Sequence, residues 1–254
     1  ASVLAQTMNS VGDKAPDVDQ PEDLVNLVKA INSLRSAGKI LAYHDRSDGG
    51  LLAAVAEMAF AGHVGVALNI DMLVTEGDGI TDSRADTGDA KNWVAQVSKR
   101  REELTLKALF NEELGVVLQV RTGDRFDVMN TLRSHGLSSM SHFIGKIRPE
   151  SATLAEGKGE LQIWRDTKKI FSASVTDLFQ VWDAVSWKIA KERDNPACAD
   201  SEHALAGSVA DSGLHVYLPP KPELASPEGM PAFNNAKPRV AVLREQGVNS
   251  HIEM

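Results

Sequence analysis

Apolar residues recur along most of this chain with two periods, one helical and one extended. Val3, Leu4 and Met8 point to one short helix within residues 1–10, and a polar connector holding Pro16 follows at Asp13 to Asp19. Leu24, Leu27, Val28, Ile31 and Leu34 then fall three and four apart behind Pro21. A helix is expected there, opened by the proline and stopped near Gly38. Ile40 to His44 reads as a short buried strand, and Leu51 to Ala61 as an apolar helix halted by Gly62. Val64 to Leu68 and Leu114 to Val120 are β-prone, with a helix between them over Lys91 to Asn111. Arg125 to Ser134 is helical up to Gly136, and Ser141 to Ile147 is extended. Leu161 to Trp164 and Lys169 to Ala173 form a predicted hairpin around Asp166-Thr167. The clearest helix carries Val175, Leu178, Trp182, Val185 and Ile189 on one face and ends before Asn195-Pro196. That face is expected to be core, Trp182 included. Leu214, Val216 and Leu218 alternate like an edge strand. The whole is an α/β pattern.

Composition narrows the function classes. The 254 residues are 43% hydrophobic and 24% charged, a folded profile rather than a disordered one. Lys and Arg number 27 against 35 Asp and Glu, a net charge of −8. A general nucleic-acid binder needs clustered cations, and the nearest cluster, Lys99-Arg100-Arg101, runs straight into Glu102-Glu103. No apolar run reaches the ~18 residues of a membrane span. The single cysteine, Cys198, cannot form an internal disulfide; this fits a reducing, cytoplasmic setting, and the residue reads as a small buried hydrophobe. The seven histidines show no zinc-type spacing, and no Ser/His/Asp triad can be assembled.

Six of the ten prolines fall between 219 and 238. That is the composition of a stiff linker. It would join a domain at 1–218 to a second one at 239–254, of which only the strand Arg239 to Leu243 and a helix start capped by Asn249 are present. Opening at Ala1 and stopping at Met254, the sequence is expected to be part of a longer polypeptide.

The sharpest chemical feature is His44-Asp45-Arg46-Ser47-Asp48-Gly49-Gly50, between a strand and an apolar helix. Two carboxylates and a hydroxyl stand beside two glycines that let backbone amides approach a ligand. Carboxylate oxygens suit Mg2+, which commonly bridges nucleotide phosphates. The same residues also make an ordinary Asp/Ser/Gly turn that caps the helix, so both readings stand. The acidic stretch from Thr75 to Ala90 lacks the spacing of a calcium loop and reads as solvated.

The segment Tyr43 to Leu52 resembles formylglycinamide ribonucleotide amidotransferase, also called phosphoribosylformylglycinamidine synthase, in its large single-chain bacterial form. The likeness continues through Ala1 to Gln6, Gly12 to Asp19, Leu109 to Gly115, Arg193 to Pro196 and Arg239 to Ser250. Motifs in this order imply an internal piece of that enzyme: the C-terminal subdomain of its second synthetase-like half, the linker and the start of a class I glutaminase domain. The fold implied is α+β or α/β, a mixed sheet flanked by helices like the C-terminal domain of aminoimidazole ribonucleotide synthetase. The activity implied is a cytoplasmic ligase of purine biosynthesis. It converts formylglycinamide ribonucleotide, glutamine and ATP to formylglycinamidine ribonucleotide, glutamate, ADP and phosphate.

By this resemblance Asp45 would help hold Mg2+, Ser47 would touch the nucleotide, and Asp48, Gly49 and Gly50 would form the turn near its phosphates. ATP or ADP and Mg2+ are the cofactors implied, at an auxiliary nucleotide site. The partners implied are the remaining domains of the parent chain, with no nucleic acid and no membrane. No catalytic residue is carried over, because the glutaminase nucleophile would follow Met254 and most substrate ligands would precede Ala1; the piece is expected to be inactive alone. The resemblance assigns no role to Glu112, Glu113, Arg193 or Asp194. Two alternatives remain: another ATP-using enzyme of the same superfamily, or a non-catalytic module that docks domains.

Overall fold

In the computed structural model, residues 2–10, 17–75, 90–148 and 159–208 are described. The predicted acidic stretch between Thr75 and Ala90, the edge strand at 214–218, the proline linker and the final strand lie almost wholly outside them.

The elements follow the apolar periods closely. Ser2 caps α1 (Val3–Thr7) by accepting from the Ala5 amide. Pro21 opens α2 (Pro21–Ser36), which leads into β1 (Ile40–Asp45). Then come α3 (Gly50–Gly62), β2 (Gly65–Asn69), a single turn α4 (Asp71–Val74), α5 (Ala90–Phe110) and β3 (Val116–Val120). The chain continues through α6 (Arg125–Ser134), β4 (Gly145–Arg148), β5 (Glu160–Arg165) and β6 (Lys168–Ser174). It reaches α7 (Val175–Arg193) and α8 (Pro196–Ala206).

Among the described residues two sheets form. In one, β1 pairs antiparallel with β3, Tyr43 opposite Leu118. The other sheet runs β4-β2-β5-β6, with β2 and β5 parallel and the outer pairs antiparallel. This is the expected mixed sheet flanked by helices. The β5–β6 hairpin turns at Asp166 and Thr167, both at positive φ, the backbone that matches the twist of paired strands.

Burial follows from this layout. Leu161 and Ile163 of β5, Leu68 of β2 and Ile70 meet Leu51 and Val55 of α3 and Leu109 of α5 in the main core. A second core joins Ala30 and Leu34 of α2 to Val128 and Leu132 of α6, beside the β1–β3 ribbon. Lys39 ties the start of that ribbon to α6 through Asp124 at 2.6 Å and Asp127 at 2.9 Å. Its ammonium pKa is raised and the Asp124 carboxyl is lowered, each chiefly by the hydrogen bond between them.

Several expectations need correction. The α7 face is core only at its start. Val175 is buried and Leu178 packs on the core, but Trp182, Val185 and Ile189 are 55%, 67% and 58% exposed. At 1.5 Å per residue α7 is about 28 Å long and α3 about 20 Å, so α3 cannot cover all of it. Phe60 of α3 reaches Phe179 and Trp182, and beyond them the apolar stripe faces outward. Cys198 is exposed rather than buried, because the buried residues of α8 are the small Ala199 and Ala206. The chain also re-enters a helix immediately after Asn195, whose side chain accepts from the Ala197 and Cys198 amides. The strand expected from Ser141 starts only at Gly145, and at the end of α3 it is His63, not Gly62, that takes the left-handed conformation.

Gly50 sets the tightest packing. It has φ +68, and a Cβ built on it would lie 2.8 Å from the Leu109 carbonyl oxygen and from Phe110. Gly38, at φ +64, has nothing within 4 Å of such a Cβ. Gly38→Ala should therefore cost only the left-handed penalty, about 1 kcal/mol. Gly50→Ala should cost about 3 kcal/mol or more, because overpacking adds to that penalty. Urea unfolding of the two variants measures the difference.

Candidate functional site

The alternation of β1 places the site. Ala42 and His44 point inward, while Leu41, Tyr43 and Asp45 are exposed on the other side. Tyr43 and Asp45, two apart, therefore share a face. The Tyr43 hydroxyl donates to Asp45 Oδ1 at 2.5 Å. Beside them lies a hollow of about 370 Å³, walled by Leu24, Leu27, Val28 and Ile31 of α2 and by Asp45, Arg46, Ser47 and Val116. Its size falls within the range of small-molecule pockets, roughly 300 Å³ and above.

The loop is strapped to the segment after α5. The Arg46 amide donates to the Gly115 carbonyl at 2.8 Å. The guanidinium turns back, donating to the Glu113 carbonyl at 2.8 Å and the Leu114 carbonyl at 3.0 Å. Burial lowers its pKa, opposed by the charge of Glu113. Glu112 Oε1 accepts from the Gly49 amide at 3.0 Å and from the Val3 amide at 2.8 Å. The Gly50 amide donates to the Ser47 carbonyl at 2.9 Å.

Of the five predicted site residues, Asp45 and Ser47 come together at the hollow. Asp48 is exposed but does not line it. Gly49 and Gly50 shape the turn, and both of their amides are engaged within the protein. Asp45 presents a single carboxylate. Among the described residues no three His, Cys, Asp or Glu side chains gather as a metal cluster. Glu112 and Glu113 now have places as straps of the loop, Glu113 also accepting from the Asp17 amide at 3.1 Å. Arg193 and Asp194 pair with each other on the surface.

Three residues outside that set extend the local network. His44 Nε2 meets Glu57 Oε2 at 2.6 Å, and Glu57 Oε1 accepts from the Trp182 indole at 2.9 Å. Glu57 is the one charged residue in the otherwise apolar α3 sequence, a readable signal that it has a partner. Tyr43 was findable from its spacing to Asp45.

Residues 1–155 match the family described as AIR synthase related protein, C-terminal domain. The chain belongs to that family. The matched span covers β1, the loop and the hollow. Among solved structures, the chain is similar to Thermotoga maritima PurL complexed with ATP, at 14% identity and a TM-score of 0.42, over 63% of this chain and 22% of that one. It is similar to the same organism's PurL complexed with FGAR at 15% identity and a TM-score of 0.42, over 83% and 26%. Phosphoribosylformylglycinamidine synthase II from that organism matches at 14% identity and 0.42, over 81% and 25%. The chain thus spans about a quarter of the length of these proteins.

The Tyr43 phenol is pushed up from 10.0 to about 12, first by burial, then by its hydrogen bond to Asp45 and the nearby negative charge. Its contribution to stability is fully present below pH 10 and lost as pH rises towards about 12. In Asp45→Asn the phenol should ionise at lower pH, yet still above 10.0 because burial persists. Tyrosinate absorbance during alkaline titration reads both.

Proposed function

We propose that this chain is the C-terminal synthetase-like segment of a cytoplasmic formylglycinamide ribonucleotide amidotransferase, and that its Asp45 loop contributes to a Mg2+–adenine nucleotide site. The single observation that carries the reading is the meeting of Asp45 and Ser47 at one hollow on the segment that matches the family. The motif likeness from Tyr43 to Leu52, and in order along the chain, supports the same enzyme. In it, formylglycinamide ribonucleotide, glutamine and ATP would be the substrates of the whole polypeptide. The domains before and after this segment would be its partners.

The donor set fits Mg2+ brought in with a nucleotide, and does not fit a resident ion caged by protein alone. Mg2+ usually takes one or two carboxylates and fills its shell with water and phosphate oxygens. Asp45 would be the carboxylate. Tyr43 holds Oδ1 of that carboxylate and so fixes its plane. Ser47 would donate its hydroxyl to a phosphate oxygen. Asp48, Gly49 and Gly50 would serve by shaping the turn. Mg2+ bound there would neutralise phosphate charge. Leu24, Leu27, Val28 and Ile31 of α2 give one side of the hollow an apolar wall.

A second reading, a module that only docks domains, draws on the exposed stripe of α7. Nucleotide retained by the complete polypeptide carrying this segment separates the two. Asp45→Asn should reduce Mg-ADP affinity by at least about tenfold, the scale seen for groups that support a metal site, with little change in melting temperature. Ser47→Ala should cost less, on the order of fivefold for one hydrogen bond. Unchanged nucleotide content in Asp45→Asn would remove the metal role and favour docking.

A further inference from the structure

We propose that Glu57 is a positioning residue for the Asp45 loop, acting through His44, with Trp182 as the outer anchor. The inference rests on the reading of that loop as a nucleotide site. Its geometry is independent of that reading.

The His44 ring stands between two oxygens. Nδ1 lies 2.6 Å from the Asp45 carbonyl oxygen, and Nε2 lies 2.6 Å from Glu57 Oε2. A carbonyl oxygen can only accept, so Nδ1 carries the proton on that side. Nε2 is within hydrogen-bond distance of the Glu57 carboxylate, so the ring is held from both sides. The other oxygen of Glu57 is taken by the Trp182 indole N–H. The chain of bonds is continuous: Trp182, Glu57, His44, then the backbone of the residue whose carboxylate faces the hollow.

Its placement explains what it does. Asp45 is the last residue of β1, and Gly50 the first of α3. Glu57 lies seven residues into α3 from Gly50, two turns on and close to the same side. Its contact with His44 therefore closes a ring from the strand, through the loop, along the helix and back to the strand. The brace fixes the peptide group of Asp45, and with it the direction in which that side chain leaves the backbone. Trp182 in turn is held by its ring, 6.1 Å from the Phe60 ring and 5.9 Å from the Phe179 ring. A pair of apolar side chains would fill this half-buried space without directing the Asp45 carbonyl.

The test separates the volume of residue 57 from its polar atoms. Glu57→Leu keeps much of the volume and removes both acceptors. Mg-ADP affinity of the complete polypeptide should fall about tenfold, as for loss of a group supporting a metal ligand. Amide exchange over Arg46 to Gly50 should quicken in the present chain, with melting little changed. Glu57→Gln should keep most of the affinity and the slow exchange, because its carbonyl oxygen can accept from the Trp182 indole while its amide N–H donates to Nε2 of a neutral His44 ring that still donates from Nδ1 to the Asp45 carbonyl. A packing role alone would not separate the two variants in that direction. The inference is overturned if Glu57→Leu leaves loop exchange unchanged, or if Glu57→Gln is as impaired as Glu57→Leu. Should Asp45→Asn keep its nucleotide, the site reading fails instead, and loop exchange in the two variants still decides the brace.

Discussion

The structure depends on a backbone-to-backbone contact. At Gly50 the first turn of α3 lies directly against the last turn of α5, with no room for a side chain between them. That approach puts the start of α3, the end of β1 and the segment after α5 within hydrogen-bond reach of each other. Arg46 and Glu112 then use the proximity, one donating to the carbonyls of Glu113 and Leu114, the other accepting from the Gly49 amide. The pairing of β1 with β3 runs on from the same junction, Asp45 opposite Val116. A side chain at position 50 would therefore disturb the core, the ribbon and the loop together.

The same contact decides which groups are open to a ligand. A helix N-terminus ordinarily attracts anions through its unpaired amides. Here a carboxylate of the protein already caps the first of them, and a carbonyl takes the next. The hollow is lined by the polar residues Asn32, Tyr43, Asp45, Arg46 and Ser47, with the Arg46 guanidinium turned back to two carbonyls and the Tyr43 hydroxyl on Asp45. A phosphate alone would meet the negative charge of Asp45. A phosphate carrying a divalent cation would meet a ligand for that cation, and the charge relation reverses. For the nucleotide site proposed above, a metal–phosphate pair would meet Asp45 with less repulsion than a phosphate alone.

Much of this was legible in the residues. Period-three and period-four spacing points to α2 and α7, and two positive-φ residues at Asp166-Thr167 make the hairpin that β-prone flanks announce. The loop stood out because Asp, Ser and Gly were concentrated between a strand and an apolar helix. Other features were not legible, for physical reasons. Periodicity identifies an apolar face but not the length of the surface available to cover it, so the spacing places Trp182 in the core while the residue is 55% exposed. Asn195-Pro196 serves equally as the end of one helix and the cap and first residue of another, and the structure uses both. The straps from Glu112 and Glu113 join positions more than sixty apart in sequence to the loop or its approaches, and no local pattern encodes such a contact.

The exposed half of α7 and the loop after β1 are parts of one arrangement. Trp182 is at once the inner edge of an apolar stripe, where Val181, Val185 and Ile189 face outward, and the donor to Glu57. Scattered apolar residues on a surface are ordinary, but four on consecutive turns of one helix form a contiguous patch. The indole belongs to both environments because its ring is apolar and its N–H is not. Its hydrogen bond can be kept only while the ring stays where Phe60 and Phe179 hold it. The geometry of a loop about two helical turns away along α3 is therefore tied to aromatic packing at the margin of that patch. Ring contacts with Phe60 and Phe179 restrict the indole, so the brace ends on a side chain with fewer conformations open to it than a free one would have.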